Sequence, residues 1–155
     1  MNKTLFFQAI TKFIIGILIV GLLIFLPASS LKYWNGWLFM ILLFIPMFIA
    51  GIIMMIKSPE LLKNRLNAKE KENDQKQVIL FSGLMFIAAF VIAGLNFRYN
   101  WIILPNSVVI ISSIIFIISY ILYAEVLREN SYLLRTIEVK ENQKLVDTGL
   151  YGIVR

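Results

Sequence analysis

The chain lacks two kinds of side chain that carry much of enzyme chemistry, for it contains no cysteine and no histidine. The absence of cysteine excludes disulfides and thiolate nucleophiles, and it leaves the redox compartment undetermined. The absence of histidine removes the commonest general base near neutral pH and the commonest metal ligand. Because zinc sites are built mainly from these two residues, we expect no metal site in the chain.

Charged residues are also scarce, at 15% of the 155 residues, whereas hydrophobic residues make up 59% and the mean hydropathy is +0.81. A soluble domain of this length, one domain by size, rarely carries so much apolar surface. We therefore expect lipid rather than water to surround most of the chain. This composition predicts an integral membrane protein.

Four apolar segments are long enough to cross a bilayer, which takes about 20 helical residues. The first could also be read as a signal peptide, since Lys3 precedes it and Pro27 follows it. Its length favours an uncleaved helix, because a signal core has about 7 to 15 apolar residues. We predict an all-α integral membrane protein in one domain covering residues 1–155, with four transmembrane helices as two hairpins. The predicted spans are 5–26, 34–56, 78–95 and 102–126.

Three residues within these spans are unusual for a membrane helix. Pro46 lies in the middle of the second span, where a kink is tolerated if a neighbouring group satisfies the freed carbonyl. Pro105 falls in the first turn of the predicted fourth span, where its missing N–H costs little. Glu125, near the end of that span, is either a functional carboxylate or the partner of Arg128. The i,i+3 spacing favours the pair.

The segment 57–77 is the one long charged connection. Ser58, Pro59 and Glu60 are typical of a helix start, with Ser58 as the N-cap. Leu61, Leu62, Arg65 and Leu66 then suit a short amphipathic helix on the membrane surface. Such a helix is a lid or a site for anionic lipid, or it is a solvated loop that fixes topology; we favour the last.

Basic residues indicate the orientation of the chain in the membrane. The N-terminal segment, the connection 57–77 and the tail 127–155 together hold 13 of the 15 Lys and Arg residues, and Lys32 and Arg98 are the other two. Positive charge is retained on the cytoplasmic side. Both termini and the connection 57–77 are therefore predicted to be cytoplasmic.

The end of the tail, residues 135–155, is polar and mixes strand and turn signals. Ile137 and Val139 alternate with polar neighbours, as in a strand with one wet face. Asn142 favours a turn, because asparagine tolerates positive φ. A second short strand at residues 144–146 would complete a small β-hairpin.

This tail resembles a segment of the isoprenylcysteine carboxyl methyltransferase family, which reads R-T-x-E-V-x-E-G-Q-x-V-x-T-G-P-Y and then x-x-V-R-H-P-x-Y. Asn142 replaces the family's turn glycine, Leu150 replaces its proline, and the chain ends at Arg155, where the family continues with His-Pro. The resemblance covers residues 129–155. The matching residues are Arg135, Thr136, Glu138, Val139, Glu141, Gln143, Thr148, Gly149, Tyr151, Val154 and Arg155.

The resemblance implies a membrane methyltransferase that uses S-adenosylmethionine and acts on an apolar or lipid-linked acceptor. It assigns no catalytic residue within the chain, and it implies an inactive N-terminal portion of a longer enzyme. The abundance of Ile, Lys and Asn favours a bacterial source, in which the protein would lie in the cytoplasmic membrane. By this resemblance the cofactor-binding residues are Val139, Gln143, Leu145, Gly149, Tyr151 and Arg155.

Two other interpretations remain open. The chain is compatible with a non-catalytic membrane protein that binds a partner or lipid, and with a membrane reductase of similar helical layout. In each case the expected partner is membrane lipid, and nothing in the sequence indicates nucleic acid or metal.

Overall fold

A computed structural model of the protein describes residues 3–66 and 73–129. Every regular element in these two ranges is an α-helix, which confirms the predicted all-α fold. The possible β-hairpin of the tail lies outside the described residues. The five helices are α1 (Lys3–Ala28), α2 (Trp34–Lys57), α3 (Pro59–Leu66), α4 (Asn73–Tyr99) and α5 (Asn106–Glu129).

Four of these helices, α1, α2, α4 and α5, are long and apolar enough to cross a membrane. Most of their large hydrophobic side chains are exposed on the outside of the bundle, including Leu18, Phe81 and Ile115 at 58%, 67% and 58%. In water this much apolar surface would drive aggregation, whereas in a bilayer it is solvated by acyl chains. The protein is therefore an integral membrane protein, as its composition predicts.

The two helices of the second hairpin begin at other residues than the apolar pattern predicts. Helix α4 begins at Asn73, because the polar residues before Val78 continue the helix. Helix α5 begins at Asn106, and Pro105 precedes it rather than lying in its first turn. Helix α5 begins later than predicted because of Asn96. The side-chain amide of Asn96 donates to the carbonyl of Ile102 and accepts from its N–H, both at 2.9 Å.

The two helices of the second hairpin lie on either side of the first hairpin, so helices that follow one another in the chain are not always packing partners. Helix α4 packs mainly against α1 and helix α5 against α2. The contacting residues show that each pair runs parallel. The centre of the core consists of Ile24, Met40 and Phe44, which are 3%, 7% and 7% exposed. Helices α1 and α2 thus form the middle of the bundle, flanked by α4 and α5.

Helices α1 and α4 approach each other closely at Gly94 of α4. A Cβ atom at this position would lie 2.4 Å from the carbonyl oxygen of Ile24 and 3.1 Å from both the amide nitrogen of Ala28 and the Cβ of Pro27. Small residues allow membrane helices to pack backbone to backbone, where dispersion and weak polar contacts are strongest. Glycine is the one residue that fits here without separating α1 from α4.

Phe39 of α2 connects the two flanking helices through its ring. Its ring centroid lies 5.6 Å from that of Phe90 on α4 and 6.1 Å from that of Phe116 on α5. Aromatic pairs at such separations add about 0.5 to 1.5 kcal/mol beyond the area they bury. Phe39 therefore stabilises the positions of α4 and α5 at once.

Helix α5 also bonds to α2 next to its internal proline. Pro46 has no N–H, so the carbonyl of Leu42 loses its helical partner. The hydroxyl of Tyr120 donates to the adjacent carbonyl, that of Leu43, over 2.9 Å. A neighbouring helix thus supplies a donor within the turn that Pro46 interrupts, one residue after the freed carbonyl.

Candidate functional site

One end of the bundle, which we call the α3 end, brings together the start of α1, the end of α2, the whole of α3, the start of α4 and the end of α5. The opposite end, the loop end, contains the connections 29–33 and 100–105. Among the described residues the loop end carries Lys32 and Arg98. The α3 end carries Lys3, Lys12, Lys57, Lys63, Arg65, Lys76 and Arg128.

Helix α3 begins where its sequence predicts, directly after Ser58. The N–H of Ser58 donates to the carbonyl of Met54 at 2.8 Å, and the carbonyl of Ser58 accepts the N–H of Leu62 at 3.2 Å. Leu61 and Leu62 are each 5% exposed because α3 packs against α2 and α1. The apolar side of this short helix therefore faces the bundle itself.

The last turn of α3 bonds to two further helices. The ammonium group of Lys12 on α1 donates to the carbonyl of Leu66, the last residue of α3. Arg65 donates to the hydroxyl of Tyr123 on α5, and its guanidinium carbon lies 5.3 Å from the centre of that ring. A cation at a helix C-terminus is favourable because the free carbonyls there carry partial negative charge. The last turn of α3 thus bridges α1 and α5.

The sequence does not predict these contacts, since each joins residues far apart in the chain. Lys12 contributes to the predicted orientation, and no sequence pattern marks Tyr123. One sign was available: an ionisable residue inside an apolar segment usually has a partner in the protein. Lys12, followed directly by Phe13 and Ile14, fits that description.

Glu125 forms an ion pair with Arg128, one turn later on α5. This agrees with the interpretation that the i,i+3 spacing favours. Among the residues that the structure describes, no group of three or more His, Cys, Asp or Glu side chains lies close enough to hold a metal ion.

The residues that the family resemblance assigns to the cofactor all lie outside the described ranges. These are Val139, Gln143, Leu145, Gly149, Tyr151 and Arg155. Helix α5 ends at Glu129, at the α3 end, where most of the described lysine and arginine residues lie.

The loop end is held by aromatic and polar contacts. Tyr33, in the connection between α1 and α2, stacks on Phe97 of α4 with ring centroids 4.5 Å apart. Burial of its phenol raises the pKa of Tyr33. The indole N–H of Trp37 donates to the carbonyl of Leu31 at 2.8 Å. These contacts fix the loops but bring together no reactive group.

The described helices form a larger and a smaller groove along the bundle. The larger, of about 620 Å³, lies between α1 and α2 towards the loop end, and apolar side chains such as Leu22 and Phe25 line most of it. The smaller, of about 230 Å³, lies between α2 and α5, with Asn35, Ser112 and Ser113 as its polar residues. Neither groove is lined by an ionisable side chain, so acid–base chemistry has no candidate there.

Comparisons with known proteins found no family, no curated protein and no solved structure that matches this chain. Any functional assignment therefore depends on the sequence of the tail and on the position of the α3 end.

Proposed function

We propose that this chain is, or forms part of, a membrane methyltransferase that uses S-adenosylmethionine and modifies an apolar or lipid-linked acceptor. The observation that carries the proposal is the spaced set of polar and glycine residues between Glu129 and Arg155. Taken singly, each residue has an ordinary structural explanation. Taken together, their order and spacing favour the family's cofactor segment.

The position of the end of α5 in the bundle supports this proposal. The tail follows Glu129 at the α3 end, and that end has the excess of lysine and arginine. Positive charge is retained in the cytoplasm during insertion, so we infer that the α3 end faces the cytoplasm. S-adenosylmethionine is made in that compartment, and an apolar acceptor would approach from the surrounding lipid.

Bound here, S-adenosylmethionine would supply an activated methyl group, whose carbon would bond to the acceptor's lone pair as its bond to sulfur breaks, with S-adenosylhomocysteine as the leaving group. The protein's part in such a reaction is to hold donor and acceptor in line and to stabilise charge. In this proposal Gln143 and the backbone from Val139 to Leu145 border the cofactor. Gly149 permits close backbone approach, and Tyr151 and Arg155 support the floor of the pocket.

Binding of S-adenosylmethionine labelled with tritium in its methyl group tests the proposal. The protein is placed in lipid nanodiscs, once as residues 1–155 and once extended through the reading frame that follows Arg155. We expect saturable binding by the extended form at least, weakened by Gln143→Ala and by Gly149→Val. Lys32→Ala, at the loop end, is the matched control and should bind normally.

Other results of the same measurement would favour the alternatives. Absence of binding by both forms would refute the methyltransferase and favour a non-catalytic membrane protein. Saturable binding of a nicotinamide cofactor in place of S-adenosylmethionine would favour a membrane reductase. Binding that neither tail substitution changes would show that Gln143 and Gly149 are not part of the cofactor site.

A further inference from the structure

Lys12 is a cation in an otherwise apolar stretch of α1. Phe13, Ile14 and Ile15 follow it directly, and the two isoleucines are 49% and 48% exposed on the outside of the bundle. A lysine in such a place extends its ammonium group towards the interface while its stem lies along apolar surface. Here the ammonium group reaches the carbonyl of Leu66, at the end of α3.

Arg65 lies next to that carbonyl and brings a second cation to the same turn. Its guanidinium contacts the hydroxyl and the ring of Tyr123, which is 40% exposed. Glu60 is the acidic residue of α3, and it lies at the other end of the helix, on the order of 7 Å away along the axis. Lys12 and Arg65 thus bring two cations to the C-terminal turn of α3, while Glu125, near Tyr123 on α5, is paired with Arg128.

Both cations keep hydrogen-bonding capacity in the described arrangement. An ammonium group has three N–H donors and a guanidinium group has five, and the bonds to Leu66 and Tyr123 use one donor of each. A phosphate oxygen is the strongest common acceptor for such donors, and guanidinium groups bind phosphate in pairs of parallel bonds.

The surroundings of the two cations distinguish a lipid from a soluble phosphate. Ile14 and Ile15 on α1 and Leu122 on α5 present half-exposed apolar side chains within one turn of Lys12 and Tyr123. An acyl chain can lie on these surfaces while its head group contacts the cations. Basic sites between transmembrane helices at the membrane surface are typical binding sites for anionic lipid head groups.

We propose that Lys12 and Arg65, held together by the last turn of α3, form a binding site for the head group of an anionic phospholipid. The phosphodiester group of the lipid accepts the hydrogen bonds, and the net negative charge of its head group accounts for the selectivity over zwitterionic lipid. It stands on described residues alone and is independent of what the tail binds.

The test measures how strongly the protein prefers phosphatidylglycerol over phosphatidylcholine. The purified protein is equilibrated with mixed-lipid nanodiscs, extracted gently, and its bound lipids are counted by native mass spectrometry. Juxtamembrane cations contribute roughly 1 kcal/mol each to anionic lipid binding, which is about 5-fold per residue. We therefore expect Lys12→Gln with Arg65→Gln to lower the preference about 30-fold, and each single variant to lower it about 5-fold.

The matched control is Lys32→Gln with Arg98→Gln, which removes the same charge from the loop end. We expect it to keep the preference of the unmodified protein, as we expect of Lys12→Arg. An equal loss in this control would show a general charge effect and overturn the site. So would an unchanged preference in the variants at Lys12 and Arg65.

The unmodified protein provides a test that does not depend on the folding of any variant. Its preference for phosphatidylglycerol should fall steeply between 50 mM and 500 mM salt, because the bonds are charge-assisted and partly exposed. Competition by soluble glycerol phosphate as effective as that by the lipid would identify a simple anion site and overturn the lipid assignment.

Discussion

Replacing Gly94 by alanine should loosen the packing of α4 on α1. The added methyl group would lie 2.4 Å from the carbonyl oxygen of Ile24, whereas ordinary contacts lie beyond 3.4 Å. The helices would have to separate locally by about 1 Å, and overpacking of this kind costs about 1 to 3 kcal/mol. Alanine also favours a helix over glycine by about 1 kcal/mol, which acts in the opposite direction.

A second glycine in the same helix isolates the steric part of this effect. Gly83 has open space around it, since an added Cβ there would meet no atom within 4 Å. Gly83→Ala should therefore gain the helical preference without the steric cost. We expect the free energy of unfolding of Gly94→Ala to lie about 1 to 3 kcal/mol below that of Gly83→Ala.

The free energies can be measured by unfolding in mixed micelles of dodecyl maltoside and SDS, followed by the fluorescence of the three tryptophans. Equal stability of Gly94→Ala and Gly83→Ala would show that α1 and α4 do not approach at Gly94 as described. That result would refute the packing of α4 against α1, because the contact at Gly94 defines how α4 packs.

Substitutions at three further residues test other contacts by the same measurement. Tyr120→Phe removes the donor to the carbonyl of Leu43 and should cost about 0.6 kcal/mol, at most about 1.7; no change would show that the bond is dispensable. Asn96→Ala removes both hydrogen bonds to the exposed backbone of Ile102 and should cost about 0.5 to 1.5 kcal/mol for each bond. Asn96→Asp keeps the acceptor and should be less severe. Burial raises the pKa of Tyr33, so the folded state holds the phenol proton more tightly than the unfolded state does. The stability that this proton contributes to the folded state should therefore be lost as the pH rises above about 10. Tyr33→Phe should abolish that part of the pH dependence, and identical pH profiles would contradict the assignment.

The sequence was sufficient for the features that depend on local composition. Four apolar runs predict four membrane helices, and the Ser58-Pro59-Glu60 start predicts α3 to the residue. The spacing of Glu125 and Arg128 likewise predicts their ion pair. In each case the cause lies within one or two helical turns, where a pattern of residues acts directly on the backbone.

The features that the sequence did not reveal depend on tertiary contacts. The start of α5 is set by Asn96, which lies on the preceding helix and binds Ile102. The surface helix predicted from Leu61 and Leu62 packs against the bundle, because α1 and α2 offer it a complementary surface. An apolar residue looks the same in a sequence whether it faces lipid or another helix, so hydropathy could not separate these cases.

The packing of the second hairpin on both sides of the first has a consequence for biogenesis. A transmembrane helix usually leaves the insertion machinery in the order of synthesis, yet α4 packs mainly on α1, which enters the membrane two spans earlier. If the spans insert in that order, lipid would cover the flanks of the first hairpin until the second hairpin packs there. Assembly in the membrane is then the association of two preformed hairpins. Two separately translated halves, divided between α3 and α4, would already carry the surfaces needed to associate.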